Sequence, residues 1–153
     1  MSGGIMIKDM VFVFGSNELG IHGGGAARVA REEYGAILGQ GFGPQGNSFA
    51  IPTCAKPMGQ PGCEIELGQI AVYVMRFRDY AREHQERNFR ITQIGCGLAG
   101  WTAEQIAPLF QDVPPDNCYF DSAWAGPLFA ADLAVIGEPG KAPAHVRKFW
   151  GTF

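Results

Sequence analysis

The sequence is poor in paired cysteines, in clustered charge and in long apolar runs, and each shortage argues against a class of protein. Its four cysteines, Cys54, Cys63, Cys96 and Cys118, fall at irregular spacing with no Cys-x-x-Cys pair. Neither a zinc knuckle nor a dithiol redox motif is therefore indicated, and no metal is expected. Reduced thiols fit a cytoplasmic protein. Lys and Arg number 12 against 15 Asp and Glu, a net charge of −3, with no basic run. That argues against a nucleic-acid surface built on phosphate neutralisation. No apolar stretch approaches the length that spans a bilayer, and the opening MSGGIMIKDM is too short and too polar for a secretory signal. A soluble, cytoplasmic protein with no membrane partner is the expectation.

Glycine is what the chain has in excess, 22 residues of it, beside 10 prolines, which points to many tight loops. The length of 153 residues suits one domain spanning the chain, large enough to bury about two thirds of the surface its unfolded form exposes. The stretch around which the rest is organised is MVFVFGSNELGIHGGGAARVA, from Met10 to Ala30. Val11, Phe12, Val13 and Phe14 read as a strand that breaks at Gly15-Ser16-Asn17. The chain then passes a second cluster, Gly20 to Gly25, and enters a helical pattern at Ala26. Glycine turns with positive φ and lets a ligand approach the backbone, while the free amides of a helix start favour an anion. A phosphate-bearing ligand follows from that pattern.

Downstream, Ala26, Ala27, Val29, Ala30 and Tyr34 form an apolar stripe, with Gly35 as its stop. Residues 35–47 read as a loop, Ser48 to Pro52 as a second strand ended by its proline, and residues 53–62 as irregular. Glu64 to Glu86 is the longest helical period, carried by Ile65, Ile70, Val74, Phe77 and Ala81. Arg90 to Ile94 reads as a third strand and delivers a second glycine loop, Gly95-Cys96-Gly97-Leu98-Ala99-Gly100. Thr102 and Gln105 form a capping box that opens the helix TAEQIAPLF, shortened by Pro108. Asn117 to Asp121 is a fourth strand and Leu133 to Ile136 a fifth, with Phe149 and Trp150 docked on the core. This alternation predicts a three-layer α/β fold, a mainly parallel central sheet with helices on both faces. Ligands of such sheets bind beyond the carboxyl ends of the strands, where both glycine loops fall.

The first loop lacks Lys-Ser/Thr after its glycines, so it is not the phosphate loop of nucleoside triphosphatases. The second matches GxGxxG after a strand, with Asp121 at the end of the next strand, as a Rossmann dinucleotide site requires. Here, however, Trp101 and a separate capping box come between the glycines and the helix, and the unit is the third in the chain. Rossmann-type NAD binding is therefore kept as an alternative.

Taken together, FGSNELGIHGGGAARVAREEYGA, NSFAIPT, the long helix and ITQIGCGLAGWTAEQIAPLF resemble the macrodomain superfamily. The likeness is nearest to its branch of terminal ADP-ribose glycohydrolases and the antitoxin that removes ADP-ribose from DNA. It covers roughly residues 10–121 in the same order, with Ile-Gly-Cys-Gly-Leu as its most specific part, and leaves 122–153 as a C-terminal extension packed on the core. The resemblance implies a macrodomain-like fold and a site for ADP-ribose at the strand ends. Gly15, Ser16 and Asn17 would lead into it, with Asn17 orienting the distal ribose and Gly23, Gly24, Gly25 and Ala26 closing over it. Gly95, Cys96, Gly97, Leu98, Ala99, Gly100 and Trp101 would wrap the diphosphate. Where the hydrolase branch has a lysine and an aspartate, this chain has Cys54 and Ala99; Lys56 lies two residues beyond the first of these positions. Without the lysine nucleophile and its assisting carboxylate, binding of ADP-ribose or a related NAD-derived nucleotide is expected to outlast fast hydrolysis.

Several of these residues have a plainer reading. Asn17 suits a strand-exit turn by bonding its own backbone. His22, the other polar group near the expected ribose, would be a ligand-binding residue as a base or ribose contact, and its plainer reading is a solvated loop histidine. Cys96, near a helix start where thiol pKa values can fall, can equally be a buried, inert thiol. Trp101 either stacks on a ligand or covers the helix end, and Asp121 either contacts a ribose or adenine or caps a turn. Phe77 and Tyr80 are packing residues. Three classes of function follow: a binder of the free nucleotide, a hydrolase acting on ADP-ribosylated protein or nucleic acid, and a non-catalytic interaction domain. None calls for a bound cofactor.

Overall fold

The computed structural model describes residues 6–57, 63, 65–97, 99–135 and 147–151. The Val- and Phe-rich run forms strand β1, Val11–Asn17, whose seven residues are all buried. A strand covered on both sides reads as continuous apolar sequence and belongs in the middle of a sheet. β1 pairs in parallel with β3, Ser48–Cys54, on one side and with β4, Phe89–Ile91, on the other. β4 pairs with β5, Cys118–Asp121, and β5 with β6, Lys148–Trp150, both in parallel. A short β2, Gly43–Gln45, adds an antiparallel edge, so the six-stranded order is β2-β3-β1-β4-β5-β6.

Alternation along the strands separates two layers of packing. On one face Val11, Val13, Phe49, Ile51, Phe89, Ile91 and Phe120 meet helix α2, Leu67–Glu83, through Ile70, Val74, Phe77 and Ala81. The same layer takes α3, Ala103–Ile106, through Ile106 and α4, Ala125–Val135, through Leu128, with Trp124 of the 3-10 turn before α4 beside them. On the other face Phe12, Phe14 and Ala50 pack with Ala27 and Ala30 of α1, Gly25–Glu33. Beside them the Arg90 guanidinium lies over the rings of Phe12, at 4.9 Å, and Trp150, at 4.8 Å. Helices on both faces of a mostly parallel sheet make the three-layer α/β architecture that the strand-helix alternation predicts.

The differences have local causes. The stretch 35–47 is not all loop, because Gly43-Pro44-Gln45 forms β2; a sheet edge tolerates the proline that hides the strand in the sequence. Pro52 does not end β3, which continues to Cys54; it sits beyond the residues that β2 pairs, at a register shift opposite Ser16 and Asn17. The long helix begins at Leu67 and ends at Glu83, and Glu64 falls outside the described residues. Leu133–Val135 is the end of α4 rather than a fifth strand. Its buried side chains, Leu128 and Asp132, are one helical turn apart; Ile136 is outside the described residues. The outermost parallel strand is instead β6, which contains Phe149 and Trp150. Pro108 stops α3 after four residues and opens a 3-10 turn, Ala107–Phe110. Gly35 follows α1 with φ +76°, the left-handed stop expected of it. No described helix is long and apolar enough to cross a membrane.

Phe77 is fully buried and meets Phe49, Phe89 and Phe110 with centroids 5.0, 5.4 and 6.3 Å away. Phe77→Ala should cost about 3–5 kcal/mol in urea unfolding. Met75→Ala, on the exposed side of α2, should stay within about 0.5 kcal/mol.

Candidate functional site

Parallel pairing of β1 with both β3 and β4 brings the loops that leave these strands to one rim. The approach is close enough that a Cβ added to Gly15 would lie 3.3 Å from the Gly95 amide nitrogen. A cavity of about 270 Å³ opens at this junction. Gly15, Gly24, Gly25 and Ala26 line it from the first glycine cluster; Gly95, Gly97 and Ala99 line it from the second. Thr92, Gln93, Ile94 and Asp121 complete the wall.

Seven of the wall residues, Gly15, Gly24, Gly25, Ala26, Gly95, Gly97 and Ala99, have no polar side chain, so their polar groups are backbone. Helix α1 starts at the cavity wall, and its N-cap, Gly24, has extended backbone and no side chain to cap the first turn. The helix-start amides and their positive end of the dipole are thus turned toward the cavity. Helix α3 is the opposite case. Thr102 Oγ1 accepts from the Gln105 amide at 3.2 Å, and Gln105 Oε1 accepts from the Thr102 amide at 3.0 Å, the capping box read from the sequence. In the second loop the amides of Cys96, Gly100 and Trp101 donate to Gln93, Gly97 and Gly95 carbonyls. Those three residues are absent from the cavity wall, whereas Gly95, Gly97 and Ala99 are on it. Gly95 has φ +77°, and a Cβ there would meet Thr53 and Ile106 side chains at 3.3–3.4 Å.

The polar residues singled out near the expected ribose are engaged elsewhere. Asn17 is buried, and its amide closes the turn that follows β1: Nδ2 donates to the Ile21 carbonyl at 2.8 Å, and Oδ1 accepts from the Ile21 amide at 3.0 Å. His22 is not solvated; it is 1% exposed, with Phe14 edge-on at 5.2 Å. Its ring lies between Ser16 Oγ, 3.1 Å from Nδ1, and Gln45 Oε1, 3.2 Å from Nε2. Gln45 Oε1 also accepts from the Ile37 amide at 2.7 Å. In the neutral ring Nε2 therefore donates to it and Nδ1 accepts from Ser16. Ser16, Asn17 and His22 brace the wall without lining it. Gly23 is exposed and also off the wall, and Leu98 lies outside the described residues.

Cys96 is half-buried and donates to the Ile94 carbonyl at 3.5 Å; burial raises its thiol pKa above the ordinary value, and the Glu104 carboxylate adds to the rise. The helix-start activation weighed from the sequence is thus outweighed by desolvation. Trp101 packs on a small cluster of Cys54, Cys63 and Ala99, in which the two sulfurs are 2.9 Å apart. Lys56 is exposed and does not line the cavity. Asp121 takes the capping role weighed for it, accepting from the Ala123 amide at 2.9 Å, and it also lines the cavity. Thr92, Gln93 and Ile94 are wall residues that sequence patterning assigned only to a strand; their position just before Gly95 was the available signal. Among the described residues no three His, Cys, Asp or Glu gather as a metal site. Comparison with family models, with curated proteins and with solved structures finds no match.

Two measurements check these roles. Asn17→Ala should lower stability by about 1–3 kcal/mol, read as a shifted denaturant midpoint, because it strips partners from a buried turn. Alkylation of Cys96 by iodoacetamide near neutral pH should run slower than that of free cysteine, since a raised pKa reduces the thiolate present.

Proposed function

We propose that the protein binds ADP-ribose or a related NAD-derived nucleotide by its diphosphate, as a macrodomain-like binder, and does not hydrolyse it rapidly. The observation that carries this reading is the meeting of two glycine clusters, remote in sequence, around one cavity. Uncapped helix-start amides at Gly24–Ala26 and the amides of the wall residues Gly95, Gly97 and Ala99 would give a diphosphate donors from two directions. The volume, about 270 Å³, is close to the lower bound of roughly 300 Å³ for small-molecule sites, so part of the nucleotide would extend over the rim. Rossmann-type binding is less well supported, because α3 is four residues long and its first turn is already capped.

Catalysis of the hydrolase branch has no counterpart here. The positions where that branch carries lysine and aspartate hold Cys54 and Ala99, both buried against Trp101 and Cys63. An apolar cluster supplies neither a nucleophilic amine nor a carboxylate to the ribose carbon. A free nucleotide is thus the favoured partner. A macromolecule bearing ADP-ribose is the alternative, with the modification held rather than removed.

Calorimetry with ADP-ribose should give saturable heat. Gly24 and Gly97 lack positive φ, and a Cβ on either meets nothing within 4 Å. Gly24→Leu and Gly97→Leu should therefore keep the melting temperature while weakening binding at least about tenfold through the clash they introduce. No heat at millimolar ADP-ribose rejects the reading. Release of ADP-ribose from a mono-ADP-ribosylated substrate rejects its non-hydrolytic part.

A further inference from the structure

The wall of the cavity changes character across the sheet. Its α1 side offers backbone amides, and its β5 side ends in the Asp121 carboxylate. β4 lies between β1 and β5, so two inter-strand steps, about 10 Å in all, separate Gly15 from Asp121. The second loop leaves β4, one step from β5, so a diphosphate anchored at the α1 start would reach across that loop with its adjoining sugar toward the carboxylate.

Resting on the nucleotide reading above, we propose that Asp121 is a specificity residue: it accepts hydrogen bonds from the vicinal hydroxyls of the adenosine ribose and so excludes nucleotides phosphorylated at the 2′ position. The carboxylate is held from two sides, Oδ1 by the Ala123 amide at 2.9 Å and Oδ2 by Gln93 Nε2 at 3.3 Å. A carboxylate accepts about four hydrogen bonds, so capacity remains for a diol. In Rossmann-type sites an acidic residue one strand beyond the glycine loop selects an unmodified ribose and an arginine admits a 2′-phosphate; that charge logic needs only a carboxylate beside the sugar, not that fold's helix. No described residue on the cavity wall is Lys or Arg. Of the cations on the same sheet face, Arg90 is held between the rings of Phe12 and Trp150 and donates to Tyr34 Oη at 3.1 Å, and Lys148 lies over the Tyr119 ring and donates to the Asp116 carbonyl at 2.9 Å. A second phosphate would meet the Asp121 charge without a counter-charge on the wall.

The test is calorimetry of the whole chain with three probes: ADP-ribose, its 2′-phosphorylated form, and the analogue with hypoxanthine in place of adenine. The unsubstituted protein should bind the 2′-phosphorylated form at least about tenfold more weakly than ADP-ribose, from like-charge juxtaposition, and the hypoxanthine analogue equally well. Asp121→Asn keeps an acceptor for the Ala123 amide, and it should bring the two ADP-ribose forms close to parity. Equal binding of both forms by the unsubstituted protein overturns the proposal while leaving the nucleotide reading intact. So does discrimination that survives in Asp121→Asn, or selectivity against hypoxanthine alone, which would give the carboxylate to the base amine. If none of the probes binds, the nucleotide reading fails and this proposal with it.

Discussion

The backbone approach of Gly15 to Gly95 is the constraint on which the site depends. β1 can pair with β3 and β4 at once only because it is apolar on both faces, and that double pairing carries two remote loops to one rim. With a Cβ on Gly15 only 3.3 Å from the Gly95 nitrogen, the glycine lets the end of β1 and the second loop lie against each other. The positive φ at Gly95 then turns the chain away from β4, beneath which Ile106 and Thr53 leave no room for a larger residue without adjustment. Chain entropy favours neither loop's conformation alone; the packed sheet imposes both.

Hydrogen-bond satisfaction decides which groups are left for a ligand. The first turn after β1 is self-contained, closed by Asn17 on Ile21 and braced by Ser16, His22 and Gln45. The second loop uses the amides of Cys96, Gly100 and Trp101 to close its own turns, and α3 is capped by its own side chains. The start of α1 has no such cap. Buried polar groups are rarely left unmet in a folded protein, and a helix start open to a glycine-lined cavity is a place where an anion can meet them. The same bookkeeping separates side chains that hold the wall from those that form it.

Around Cys54 and Ala99 the chemistry turns apolar. Cys63 and Trp101 fill the space beside them, and the Cys96 thiol nearby is held in its neutral form by burial. Nucleophilic catalysis needs an activated amine, thiolate or carboxylate within reach of the reacting carbon, and none of these is offered by that cluster. The cavity thus borders an apolar flank on the side of Cys54 and Ala99 and an uncapped helix start on the side of α1.

Much of this architecture was written locally. The Val-Phe run, the stripes of α1 and α2, the Thr102–Gln105 capping box and the Gly35 stop depend on neighbours within a few residues, so periodicity and capping chemistry reveal them. The α/β class and the meeting of both glycine loops at the strand ends follow from the order of those elements. Other features were decided in three dimensions. β2 exists because β3 offers an edge, Pro52 stays in a strand because a register shift accommodates it, and Leu133 ends a helix because Leu128 and Asp132 are buried one turn apart. The site divides in the same way. Glycine spacing marked the cradle, since backbone freedom is a local property. Whether Asn17 and His22 face a ligand or their own turn depended on Ile21 and Gln45, and the place of Asp121 on the wall on how many strands lie between it and β1. Such partners are set by tertiary packing, which no single stretch of the chain encodes.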